Sequence, residues 1–233
     1  MDKMSCDKCS RFCASKVPIF ENLDSDELDK IVNEIEHKSF EKGSMVFTEG
    51  SNASTLFFIH EGKIKLYKYN KDGKEQILHI LTDGDFFGEL DLIQSTKYKF
   101  NAQAMDDTKI CTLRKDEVRD IILKKPEIAL KLLESVGERL SAIENLAQNL
   151  STNHVEARIV YLLLNLMDKY SEEVDGKKLI NLPLSREDMA NYIGVTRETI
   201  SRKLKKFEDE GLIKLIGTKK ILILDEEALD DCI

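Results

Sequence analysis

The chain has 233 residues, 42% of them hydrophobic and 33% charged, with a formal net charge of −8. That is enough apolar material for one domain of ordinary size plus a smaller one. With three prolines, eleven glycines and no tryptophan, collagen-like, low-complexity and disordered classes are excluded. The longest apolar run, Ile159 to Leu164, has six residues, far below the ~18–20 that cross a bilayer. The N-terminus, Met1-Asp2-Lys3-Met4-Ser5-Cys6, lacks an apolar signal core, so a cytoplasmic protein is expected. Five cysteines in such a chain do not imply a disulfide framework.

Residues 1–23 form a cysteine-rich segment holding Cys6, Cys9 and Cys13. Asp24 to Glu36 then has a helical start, with Ser25 as cap and Leu28, Ile31, Val32 and Ile35 on one face. From Lys38 to Arg114 short apolar stretches (Met45–Phe47, Leu56–Ile59, Ile64–Tyr69, Ile77–Leu81) alternate with glycines at 43, 50, 62, 73, 84 and 88. Asn70-Lys71-Asp72-Gly73 between two of them is a hairpin signal, since Asp-Gly tolerates positive φ. The pattern predicts an antiparallel β barrel or roll of about eight strands, filling a domain at 24–125.

After Pro126 the period changes. Ile128, Leu132, Val136, Leu140, Ile143, Ala147 and Leu150 recur at intervals of three and four, a stripe on a helix of about seven turns at 126–152. The helix outlasts any single core it could cover, so pairing with a second copy, a homodimer, is expected.

The last segment, 153–233, opens with a helix at Val155 to Tyr170. A shorter helix comes next, capped by Ser185 with Asp188 at its third position, and turns at Gly194. A second helix runs from Thr196 to Glu210 and stops at Gly211. Leu212 to Leu224, turning at Gly217-Thr218, reads as a β hairpin. Helix, tight glycine turn, basic helix and hairpin make a winged helix-turn-helix. The overall fold class is therefore α+β. Between Arg197 and Lys220 eight basic residues face four acidic ones, a local charge of +4 in an otherwise acidic chain.

Met189, Ala190, Ile193, Val195, Ile200, Leu204 and Phe207 are the positions that pack the two helices. Arg197, Glu198, Ser201, Arg202 and Lys205 remain as one polar face. Those types suit a major groove: arginine forks onto guanine, glutamate accepts from cytosine N4, and serine serves several bases. Thr196, Thr199, Lys203 and Lys206 are placed to reach phosphates and set register. Binding to double-stranded DNA is the expectation.

With Gly84-Asp85-Phe86-Phe87-Gly88-Glu89-Leu90 in the barrel and Arg197-Glu198-Thr199-Ile200-Ser201-Arg202 in the second helix, the whole chain resembles a Crp/Fnr-family transcription regulator. Glu198, Ser201 and Arg202 match the Fnr branch's reading set, while Arg197 occurs as in the cAMP-binding branch. The resemblance implies a palindromic site with half-sites like TTGAT or TGTGA, and RNA polymerase as a partner. The family's cAMP pocket has its Gly-Glu-Leu turn succeeded by an Arg-Ser/Thr pair. Here Lys99-Phe100 stand in that place, without the guanidinium fork or hydroxyl that a phosphate wants. The turn is then structural, and cAMP is not the expected ligand.

The cysteines point elsewhere. A 4Fe–4S cluster needs four converging thiolates, usually a tight local group and one distant ligand. Cys6-x2-Cys9-x3-Cys13 supplies the local group, and Cys111 lies on a strand that resembles the Fnr-branch strand carrying the fourth ligand. Val17-Pro18-Ile19-Phe20 likewise resembles that branch's Pro-hydrophobic-Phe stretch after its N-terminal cysteines. The local spacing, x2 and x3, is shorter than that branch's commonest x2 and x5. Zinc on the same four thiolates, a reversible disulfide, an ordinary buried thiol at Cys111 and a haem ligand among the scattered histidines His37, His60, His79 and His154 stay open at this point. Cys232 is read as a spare thiol.

A DNA-binding regulator switched by redox state, oxygen or nitric oxide is therefore expected. A regulator sensing a small ligand in the barrel is the alternative. No nucleophile elbow, Walker loop or paired acid/base signature marks an enzyme.

Overall fold

The computed structural model describes residues 17, 20, 25–89, 97–151 and 154–230. The chain divides into two compact units, one of residues 1–68 and 78–141 and the other of 69–77 and 142–233.

The first unit holds helix α1 (Ser25–Glu34) and strands β1 (Glu36–Phe40), β2 (Met45–Phe47), β3 (Thr55–Glu61), β4 (Ile64–Tyr69), β5 (Glu75–Leu81), β6 (Phe86–Phe87), β7 (Asn101–Ala104) and β8 (Thr108–Arg114). Some residues of β4 and β5 belong to the second unit. The eight strands form two four-stranded sheets, ordered β1-β8-β3-β6 and β2-β7-β4-β5, which is the expected antiparallel roll. The Asn70 side chain shapes the β4–β5 turn, its Oδ1 accepting from the N–H groups of Asp72 and Lys74 at 2.9 Å. Gly73 there adopts φ +74°.

Strand β8 serves two cores. Ile110 faces the interior of the roll with Phe57, Ile59, Ile64 and Phe87. Cys111 and Leu113, pointing the other way by the two-residue period of a strand, join an outer core with Val17, Phe20, Ile31 and Phe58. Helix α2 (Lys115–Lys124) comes after it, with Glu117 returning its carboxylate to the Arg114 N–H at 2.6 Å. Helix α3 (Pro126–Ser151) is next. Its 26 residues span about 39 Å.

The stripe on α3 is used differently from the expectation. Ile128 and Leu132 are only 3% and 5% exposed and belong to the outer core of their own chain. They are therefore not free to meet a second copy. Leu133 and Leu140 are 59% and 55% exposed. Repeats of four advance 400° and rotate steadily off the axis, so a 4-4-4 stripe cannot stay on one face. From Leu133 the spacing becomes 3-4-3-4-3 through Val136, Leu140, Ile143, Ala147 and Leu150, a heptad-like repeat. The side chains of Ile143, Ala147 and Leu150 lie outside the described residues.

The second unit contains helix α4 (Val155–Tyr170), strands β9 (Ser171–Val174) and β10 (Lys177–Asn181), helices α5 (Arg186–Ile193) and α6 (Arg197–Asp209), strands β11 (Ile213–Ile216) and β12 (Lys220–Ile223), and helix α7 (Glu226–Asp230). The expected hairpin is β11–β12, and its sheet continues as β11-β12-β10-β9. The β9–β10 hairpin is an addition to the expected elements. Its signal, Asp175-Gly176, takes positive φ at both residues (51° and 73°), the pattern of a tight hairpin turn.

Among the described residues no helix is long and apolar enough to cross a membrane.

Candidate functional site

Two features position α6. Ser185 caps α5 reciprocally with Asp188, Oγ accepting from the Asp188 N–H and Oδ2 accepting from the Ser185 N–H, each at 3.1 Å. Gly194, in the left-handed region at φ +78°, ends α5 and turns the chain. Thr196 then caps α6 by accepting from the Thr199 N–H at 3.3 Å. Met189, Ala190, Ile193, Ile200, Leu204 and Phe207 are buried as expected, and Val195 is half-buried. An Arg158 guanidinium N–H donates to the Ile193 carbonyl at 2.9 Å, placing a cation at the C-terminal end of α5.

Arg197, Glu198, Ser201, Arg202 and Lys205 are exposed together on α6, with Thr196 exposed at its start and Thr199 half-buried. The lysines are not all free. Lys203 and Lys206 both donate to Glu156 Oε1 of α4, at 2.7 and 2.8 Å. These bonds hold the Glu156 carboxyl below its ordinary range, Lys203 contributing most. Lys205 donates to Glu208 at 2.8 Å and pairs with Asp209 at 3.2 Å, and those carboxylates raise its ammonium above the ordinary lysine value. The face is thus a mixed-charge surface in which three lysines are already neutralised by carboxylates of their own unit.

The second candidate site lies on the outer face of the roll. Cys111 carries a buried thiol, 4% exposed. It lines a small apolar cavity with Val17, Phe20, Phe58 and His60. Its Sγ lies 3.3 Å from His37 Nδ1, because β1 and β8 pair with His37 directly opposite Cys111. Burial, and then the nearby His60, push the His37 imidazole below its ordinary pKa. Two histidines that look scattered in sequence therefore converge on the one described cysteine. Cross-strand register between residues 74 apart leaves no trace in a single sequence. Cys6, Cys9, Cys13 and Cys232 lie outside the described residues. Among the described residues no group of three His, Cys, Asp or Glu side chains is placed to hold a metal ion.

Inside the roll, the Tyr98 ring stacks on Phe47 at 3.7 Å, and Phe100 sits 5.7 Å from the same ring. Phe57 stacks on Phe87 at 4.8 Å. Gly88 adopts φ +93°, and a Cβ there would meet the Thr55 carbonyl oxygen at 2.6 Å. Glycine is needed at that point for the backbone to pass β3.

Comparison with known proteins agrees with this architecture. Residues 37–125 match the family profile described as cyclic nucleotide-binding domain, and residues 157–232 match that of the Crp-like helix-turn-helix domain. The chain is 31% identical over 225 residues to the anaerobic regulatory protein of Haemophilus influenzae, covering 96% of this chain and 86% of that one. It is 28% identical over 215 residues to the CRP-like cAMP-activated global transcriptional regulator of Mycobacterium tuberculosis, covering 92% and 96%. Among solved structures, a CooA mutant from Carboxydothermus hydrogenoformans superposes with a TM-score of 0.81 at 22% identity, over 95% and 98% of the two chains, a likeness of fold. These domains and relatives are transcription regulators, not enzymes. The chain belongs to the Crp/Fnr family of DNA-binding transcriptional regulators.

Proposed function

We propose that this regulator responds to redox state, oxygen or nitric oxide through a 4Fe–4S cluster held by Cys6, Cys9, Cys13 and Cys111. The observation that carries it is the company Cys111 keeps. Val17 and Phe20, from the segment just after the cysteines, pack in the same cavity and the same core as Cys111. Cys13 precedes Val17 by four residues, so the chain tethers it within about 14 Å of Val17. The donor chemistry suits the group, since Cys111 offers one soft thiolate and the N-terminal segment offers three. Such a cluster, when bound, supplies iron and sulfide that react with oxygen and nitric oxide. Relatives named for anaerobic regulation and for fumarate and nitrate reduction support the same role.

The protein's own part is transmission. Ile128 and Leu132 of α3 share the outer core with Val17, Phe20 and Cys111. A change in how the N-terminal segment packs is therefore felt at the base of α3. The face of α3 that presents Leu133 and Leu140 pairs with a second copy, as members of this family generally do. Repacking at the base of α3 changes that pairing and so the spacing of the two α6 helices on a palindromic site.

Lys99 and Phe100, standing where the family's cAMP pocket has its Arg-Ser/Thr pair, offer neither a guanidinium fork nor a hydroxyl, which supports a regulator that does not use cAMP. The test is the visible spectrum of anaerobically purified protein, with iron and sulfide assayed before and after air. Absorption near ~400 nm with about four irons per chain, bleached by air and lost in Cys111→Ser, is expected. Colourless protein after reconstitution with iron and sulfide refutes the cluster. Zinc analysis and thiol titration then decide between a structural metal and a disulfide switch.

A further inference from the structure

We propose that His37 is a positioning residue for Cys111: its Nδ1–H donates a hydrogen bond to the Cys111 sulfur and stabilises it as a metal-bound thiolate. The proposal rests on the cluster function proposed above and adds a residue to it. Three observations carry it. The N···S distance is 3.3 Å, within reach of a bond to sulfur. The sheet sets the two side chains beside one another, because His37 and Cys111 are direct partners in the five-pair register of β1 with β8. Residues opposed in this way have Cβ atoms about 5 Å apart, the span an imidazole fills. On its other side Cys111 is opposed by Phe58 of β3, which packs with it in the outer core.

The direction of the bond is set by chemistry. A thiol can donate or accept, but a thiolate carries no hydrogen, so against it the imidazole nitrogen must be the donor. His37 is exposed while the sulfur beside it is buried. The imidazole thus stands on the solvent side of the thiolate it serves. A hydrogen bond to a ligand sulfur stabilises its thiolate form and fixes its orientation, which favours retention of the metal. It also withdraws electron density from the sulfur, which raises the reduction potential.

The experiment compares full-length wild type, His37→Leu and His37→Gln, each reconstituted anaerobically with iron and sulfide. The readouts are the first-order loss of visible absorption to an iron chelator and the midpoint potential from a redox titration. His37→Leu, which removes the donor, is expected to lose iron roughly tenfold faster and to titrate at a lower potential. His37→Gln, which restores a side-chain N–H, is expected to move both values back toward wild type. Thermal unfolding of the cluster-free proteins shows that both variants fold. A His37→Leu protein that matches wild type in both readouts overturns the proposal, as does a His37→Gln protein as labile as His37→Leu. If wild type itself takes up no iron and sulfide, the cluster falls and the role of His37 with it. A coloured wild type beside an unchanged His37→Leu removes only the role of His37.

Discussion

Glu156 is the carboxylate whose removal should tighten DNA binding. It holds Lys203 and Lys206 at 2.7 and 2.8 Å, and any phosphate that takes either lysine must first displace it. Glu156→Gln keeps the shape and removes the charge. The Lys203 pair is part-exposed, so its release is worth about 0.5 kcal/mol after solvent screening, about twofold in Kd. Release of the exposed Lys206 acts in the same direction. The salt dependence is the sharper signature. Each lysine that moves onto a phosphate adds about 0.9 to the slope of log affinity against log salt, so the variant should be steeper by about 1–2. Because this term is independent of sequence, a labelled random duplex suffices, monitored by fluorescence anisotropy between about 50 and 200 mM salt. Equal slopes and equal affinities would show that these lysines never exchange Glu156 for phosphate. Weaker binding with an unchanged slope would show that Glu156 braces α6 and does not compete with DNA.

Other consequences are as direct. Leu132→Ala should cost about 2–4 kcal/mol of unfolding free energy, since Leu132 is buried in its own chain. Leu140→Glu should leave the fold intact and shift sedimentation from dimer to monomer. Gly88→Ala should lower thermal stability by a few kcal/mol, from positive φ and a Cβ 2.6 Å from the Thr55 carbonyl oxygen. The Glu156 carboxyl titrates below its ordinary 4.5, so its contribution to stability is complete above about pH 4.5 and fades as the pH falls below it. Melting curves of wild type and Glu156→Gln should therefore differ at neutral pH and converge in acid.

The winged helix was the most legible part of the sequence because its determinants are local. Ser185 with Asp188, Gly194 and Thr196 each act within four residues, and the buried positions of α6 keep its 3.6-residue period. The roll was legible as a class from its glycine-punctuated strands. Relationships between distant residues were hidden. The Glu156 bonds reach lysines 47 and 50 positions away, and without them Lys203 and Lys206 read simply as cations open to phosphate. His37 finds Cys111 only through β-sheet register. The stripe on α3 misled for a different reason. Apolar residues four apart mark a buried helix equally well whether the cover comes from the same chain or another, and only the packing of Ile128 and Leu132 tells the two apart. The cysteine triad, outside the described residues, rests on its spacing and on where Val17 leads.

Strand β8 has a bearing on what moves when the regulator switches. It is paired along its length with β1 on one side and β3 on the other, and its alternate residues are committed to two different cores. Sliding it by one residue would swap those faces and break both ladders at once. The strand under Cys111 is therefore a stationary backstop. On the proposed mechanism, a change at its sulfur would be taken up by what packs over it, Val17, Phe20 and the first two turns of α3, so that the roll keeps its shape while its cover is rearranged.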